Sequence, residues 1–374
     1  VEEVPQAERE MIAHIPFDEK KYKEAIPIFQ ESDRLDKIEM DSTHNRRDYS
    51  AMWLASCHYQ LGDEKQAQKI SPYYYKLSPI DRRLTIQSDS LSALADKAFE
   101  HQDYTKALKL YKQCDAIEAT ILGKNHIWRM TTIANEGYCY SQLSDSTNAI
   151  KCFEAHQAAC QQLYNLECDA AMNTLFALGH EYYNHQFENH YPKALNAYFQ
   201  AYELAKNLND SINYNSSLYC ISLCYFSQSQ ENNGDEQGKY LENAEVFVRE
   251  LRNDNEEDRY LKNLIYDNLA NFYNKKSEEY LQDSITLQQA LDYSQKALET
   301  YQKKPDADQG VKRLLEIYKM DCLIRSNKIQ EAIELGEDLY AAFLPIRQQE
   351  SENYQTLLQN LCLLYTSPSP RDIS

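Results

Sequence analysis

Eight alanines recur along the chain at near-regular intervals: Ala25, Ala67, Ala107, Ala149, Ala194, Ala244, Ala290 and Ala332, spaced by 42, 40, 42, 45, 50, 46 and 42 residues. Each opens the same pattern. A bulky or semi-bulky side chain stands four residues on, and another core position follows three after that. A unit this short cannot bury its own apolar face, so copies must stack on one another to build a continuous core. The uneven spacing falls in loops, where extra residues add little closure entropy.

Upstream of these alanines runs a second amphipathic pattern, an apolar residue followed by a large and then a small side chain, and three further on by an aromatic or small one. Leu175, Leu178, Gly179 and Tyr182 show it most clearly. Leu91, Leu94, Ala95, Ala98 repeat it, as do Leu218, Ile221, Ser222, Tyr225 and Tyr266, Leu269, Ala270, Tyr273. In the copy Ile133, Gly137, Tyr140 the large position is taken by Glu136. Apolar residues three and four apart share one helix face, so each unit is predicted to be a pair of helices. The small residue of the first helix is expected to face the alanine of the second, letting the two backbones approach closely.

Composition agrees with helices. Only 8 Gly and 10 Pro occur in 374 residues, below averages of roughly 7% and 5%, which leaves little turn chemistry for a sheet-rich fold. Thirty tyrosines and a 43% apolar content suit aromatic helix stripes and argue against a disordered chain.

The recurring small and aromatic positions resemble the tetratricopeptide repeat, whose consensus orders Trp, Leu, Gly, Tyr, Ala, Phe, Ala and Pro. Leu54, Ala55, Leu61, Gly62, Asp63, Ala67 and Pro79 fall at that family's intervals in the second copy, and Gly137, Tyr140, Ala149 and Phe153 do so in the fourth. The resemblance spans Phe17 to about Leu339. It implies an all-α fold, a right-handed superhelical solenoid of about eight helix pairs occupying residues 1–361. The copies run longer than the usual 34 residues. The turn Gly123, Lys124, Asn125, His126 is similar to that of the longer kinesin-light-chain-like repeats common in bacterial arrays. In the last copy Met320 holds the small position and Gly336 the bulky one, and Pro16 ends the leading helix of the first. Residues 362–374, CLLYTSPSPRDIS, resemble translated sequencing-adapter sequence and are expected to be a non-native or disordered tail.

A formal charge of −19 repels phosphate backbones and anionic lipid, so no nucleic-acid or membrane partner is expected; the same acidity also keeps a long helical surface soluble. Ten cysteines lack any CxxC pair, and Cys220 and Cys224 stand four apart on one helix face, as packing residues do. Buried free thiols imply a reducing, cytoplasmic setting. No apolar run approaches the ~20 residues of a membrane span.

No Gly-rich phosphate loop, GxSxG elbow or HExxH motif is present. His180, His185 and His190 are five residues apart, which places successive imidazoles ~140° apart around a helix, so they do not converge on a metal. No catalytic residue, cofactor or metal ligand is assigned. Asn209 and Asn215 begin glycosylation sequons that matter only in a secreted protein.

The resemblance places binding on the concave face, lined by the first helix of each pair. The family's groove positions fall on Tyr138 and Gln142, on Asn173, Phe176, His180, Tyr183 and Asn184, on Tyr219 and Phe226, and on Asn271 and Lys275. Rings and amides together can hold an extended peptide, though any of these tyrosines could instead pack between repeats. Asn268 and Asn271 could match the amides of the clamp with which some members grip acidic peptide termini, but Asp267 stands where that clamp needs Lys. The expected function is a non-catalytic, cytoplasmic, bacterial-style scaffold for a protein or peptide partner. The alternative is the sensing arm of a larger signalling protein, with a CHAT-type peptidase, a histidine kinase or a DNA-binding regulator as effector.

Overall fold

The computed structural model describes residues 12, 15–17, 19–39, 49–71, 79–121, 127–164, 169–184, 190–252 and 255–366. Among them sixteen helices have described bounds, residues 12 and 15–17 are helical as well, and no strand forms. The chain divides into two compact units, Val1–Asp210 and Ser211–Ser374.

In the first unit the helices are α1 (Tyr22–Glu39), α2 (Tyr49–Gln60), α3 (Glu64–Ile70), α4 (Pro79–Glu100), α5 (Tyr104–Ile121), α6 (Ile127–Gln142), α7 (Ser146–Tyr164), α8 (Asp169–Asn184) and α9 (His190–Asn207). In the second they are α10 (Ser211–Glu231), α11 (Gly234–Val248), α12 (Glu256–Tyr280), α13 (Leu287–Gln302), α14 (Gln309–Arg325), α15 (Ile329–Phe343) and α16 (Ser351–Thr366). Consecutive helices pack as hairpins, α2 with α3, α4 with α5, and so on to α14 with α15. Each unit is thus an all-α stack of tetratricopeptide-type helix pairs. The leading helix of the first repeat lies largely outside the described residues, and α16 packs on α14 and α15 after the last pair.

One turn recurs within the hairpins. Lys20, Gly62, Gln102, Ser144 and Asn327 all take positive φ, between 54° and 82° with Asn209 included, and in these five the repeat alanine follows five residues later. The left-handed residue ends one helix and redirects the chain. The next residue then starts the following helix: Asp63, Asp103 and Asp145 cap it by accepting the N–H of Gln66, Lys106 and Asn148 at 3.2, 3.1 and 3.3 Å. Its carbonyl takes the alanine N–H, at 3.2 Å for Ala25, 3.1 Å for Ala67, 2.9 Å for Ala107, 3.0 Å for Ala149 and 3.1 Å for Ala332. These five alanines therefore enter their helices at one equivalent point.

All eight are buried, none more than 3% exposed. At Gly137 and Gly179, the two glycines in the small position of a first helix, the close contact differs from expectation. A Cβ on Gly137 would stand 2.8 Å from Cε1 of Phe153, and one on Gly179 would collide with the ring of Tyr198. Phe153 and Tyr198 come four residues after Ala149 and Ala194, so glycine accommodates the aromatic ring rather than the alanine. A flat ring seated directly on a backbone fills the space between two helices more completely than two small side chains could.

Three other details depart from the sequence pattern. Ala244 is the eleventh residue of α11, whereas the other repeat alanines are fourth or fifth in theirs, so its repeat is displaced by two turns and Gln237 holds the fourth position. Leu94, assigned to the core, is 53% exposed. Finally, α16 runs to Thr366 and Leu364 is buried in the core with Leu357 and Phe343, so helical packing extends past residue 361. Residues 367–374 lie outside the described part.

Candidate functional site

The first helices of successive repeats lie side by side, α6 against α8 in the first unit and α10 against α12 in the second. In the first unit this row encloses a cleft of about 520 Å³ lined by Phe99, Tyr111, Asn135, Tyr138, Asn173, Phe176, Ala177 and His180. The walls come from α4, α5, α6 and α8.

The lining follows from repeat geometry. Gly137 and Gly179 turn toward the paired helix, so the next residues, Tyr138 and His180, turn toward the cleft, and the residues two earlier, Asn135 and Ala177, join them one turn below. The walls are held from behind. The Tyr138 ring packs 5.0 Å from that of Phe153, and burial pushes its phenol up to about 12, so it presents a neutral ring. Tyr111 donates its hydroxyl to Asp96 at 2.5 Å; burial foremost, with the Asp96 charge, raises its phenol as well. The hydroxyl of Tyr198 lies 3.0 Å from Nδ1 of His180, which fixes the imidazole against the wall. Desolvation lowers the His180 pKa while Glu181 opposes it, so the ring is neutral at pH 7. Among the described residues the cleft is therefore lined by rings and carboxamides and carries no fixed charge.

Of the groove residues expected from sequence, Tyr138, Asn173, Phe176 and His180 come together here. Gln142 and Asn184 are exposed at the ends of α6 and α8, and the Tyr183 ring packs 6.1 Å from that of Tyr191. In the second unit Tyr219 lines a separate, shallow cleft of about 500 Å³ with Glu256, Glu257 and Tyr260. Phe226 is half-buried and packs against the core around Leu269 and Tyr273. Asn271 and Lys275 are exposed on α12.

Sequence reasoning missed Phe99, Tyr111, Asn135 and Ala177. Asn135 and Ala177 were within reach, since each stands three residues before an expected groove residue, Tyr138 and His180, on the same helix face. Tyr111 stands four after Ala107, at the bulky position of its repeat, and is 3% exposed.

Elsewhere, Asp267 is paired with Lys304 at 2.7 Å, and the Asn268 carboxamide donates to the carbonyl of Leu264 at 2.8 Å. Both groups are thus engaged within the unit rather than in a clamp. His185 lies outside the described residues, and His190 packs 4.0 Å from the ring of Tyr191. Burial pushes the thiols of Cys57, Cys114, Cys139, Cys152, Cys220 and Cys224 up to about 12, which makes them poor nucleophiles at neutral pH. No helix of the described residues is long and apolar enough to cross a membrane.

No protein-family profile matches the chain, and no curated protein matches it in sequence. Solved structures do. The apo form of RapI is 12% identical, with 97% of this chain and 99% of that one covered and a TM-score of 0.41. A Rap protein complexed with competence and sporulation factor is 14% identical over 96% and 98%, with a TM-score of 0.36. The TPR-like repeats of a Podosopora anserina kinesin light chain are 15% identical over 66% and 96%, at 0.32. At these TM-scores the likeness adds nothing to what the helix pairs and buried alanines establish by themselves.

Proposed function

We propose that this protein is a non-catalytic interaction scaffold that takes an extended peptide, or a flexible segment of a partner protein, in the cleft of its first unit. The observation that carries this reading is the cleft's combination of aromatic walls with two carboxamides, Asn135 and Asn173, projecting from neighbouring helices. Rings supply apolar contact area at low entropic cost, and a carboxamide offers one donor face and one acceptor, the complement of a peptide group. Among the described residues that line the cleft there is no Cys, Ser, Lys, Asp or Glu, and His180 is tied to Tyr198. Acidity across the chain, at −19, disfavours nucleic acid and anionic membranes as partners.

A random-peptide display selection against the full chain tests this. Selected peptides should lose at least tenfold in affinity on Asn173→Ala and on Phe176→Leu, with both variants folded by circular dichroism. Equal binding by the wild type and both variants would place the interaction elsewhere on the molecule.

A further inference from the structure

We infer that the first-unit cleft selects its peptide by a central aromatic side chain and rejects acidic segments. The inference rests on the peptide-binding reading above and adds the chemistry of the ligand to it.

Three features point the same way. First, the walls are Phe99, Tyr138 and Phe176 with the neutral His180 imidazole. Their ring faces and edges come from different helices, so an inserted ring meets both offset and edge-on partners, the arrangements aromatic pairs favour. A volume of about 520 Å³ has room for an aromatic side chain and the backbone on either side of it, well within the range of peptide and small-ligand sites. Second, neither Asn135 nor Asn173 is engaged in a hydrogen bond among the described residues. Two unengaged carboxamides flanking a ring-lined cleft suit a backbone that runs past while its side chain goes in. Third, among the described residues the cleft lining holds no Lys or Arg, while Asp96 accepts from the Tyr111 hydroxyl and Glu181, next to His180 in sequence, accepts from Ser141. A carboxylate entering here would shed its water, find no positive partner and meet the field of a chain carrying −19.

Capped pentapeptides Ac-Gly-Ala-X-Ala-Gly-NH2, with X as Phe, Trp, Leu, Lys or Glu, titrated into the full chain by isothermal titration calorimetry, decide the matter. The Phe and Trp peptides should bind at least tenfold more tightly than the Glu peptide. Phe176→Leu should erase most of that preference, whereas Asn173→Ala should weaken every peptide by a similar factor. Should the Glu peptide bind as well as the aromatic ones, with both variants still weakening it, the cleft binds peptides but the selectivity argued here is wrong. Should no peptide bind, or neither variant change any affinity, the peptide-binding reading falls and the selectivity with it.

Discussion

Gly179 lies flat against the ring of Tyr198, with no room between them for a single methyl group, and that same tyrosine reaches past the glycine to hold His180 Nδ1 at 3.0 Å. One contact therefore locks a helix pair together and also orients a wall of the cleft. Gly137 and Phe153 repeat the packing half of this arrangement in the preceding hairpin.

Gly179→Ala should destabilise the protein. Helix propensity alone would favour alanine by about 1 kcal/mol, but the added Cβ must displace a ring that is 2% exposed, and overpacking costs about 1–3 kcal/mol. Urea unfolding should show the net loss. Gly62→Ala should lose stability for an unrelated reason, since nothing lies within 4 Å of its Cβ position but its φ is +82°, a conformation that costs a non-glycine residue about 1 kcal/mol. A raised melting temperature for Gly179→Ala would contradict the packing described.

The last hairpin inverts the size pattern. Met320, fully buried, takes the small position of α14, and Gly336 takes the bulky position of α15, where a Cβ would come within 2.8 Å of Met320 Cε. Met320→Ala alone should cost about 2–5 kcal/mol through the cavity it leaves, and Gly336→Leu alone about 1–3 kcal/mol through overpacking. Made together, they should cost less than their sum, with a coupling of about 0.5–3 kcal/mol. Strictly additive losses in a double-mutant cycle would mean that the two side chains do not share one space.

Glu136 occupies the large apolar position of its repeat and is 8% exposed. Burial, reinforced by Asp115 and Glu118 and opposed by Lys112 and Arg129, pushes its carboxyl up to about 7. The folded protein therefore holds this proton more tightly than the unfolded chain, so the stability contribution is full below about pH 4.5 and is lost as pH rises to 7. Glu136→Gln should match the wild type near pH 4.5 and exceed it at pH 8, by on the order of 3 kcal/mol at most. Parallel pH profiles for the two proteins would show that the carboxyl is not held neutral.

His156 behaves in the opposite sense. It is 1% exposed and its Nδ1 lies 3.0 Å from Thr174 Oγ1, and burial lowers its pKa to about 4. Its neutral form stabilises the fold above about pH 6.5, and that contribution is lost as pH falls toward 4, where the unfolded chain takes up the proton first. His156→Gln should be less stable than the wild type at pH 7.5, yet lose less on acidification to pH 4.5. Identical acid sensitivity in chemical denaturation would remove His156 from the account.

The recurrence of small and aromatic positions was enough to announce stacked helix pairs. Alanine at near-regular intervals, repeated eight times, admits few other folds, and the periodicity of Leu175, Gly179 and Tyr182 assigns a face to each residue of one helix. Spacing along a helix says which way a side chain points but not what it meets. That Gly179 receives a ring, that Met320 and Gly336 exchange sizes, that Ala244 enters its helix two turns late and that Phe226 packs inward were settled by the neighbouring helices. The cleft shows the same division. Tyr138, Asn173, Phe176 and His180 could be placed from the repeat, and Asn135 shares the α6 face of Tyr138, whereas Phe99 and Tyr111 joined them only through packing between α4, α5, α6 and α8, because the walls of a site shared by several helices depend on contacts between residues far apart in the chain.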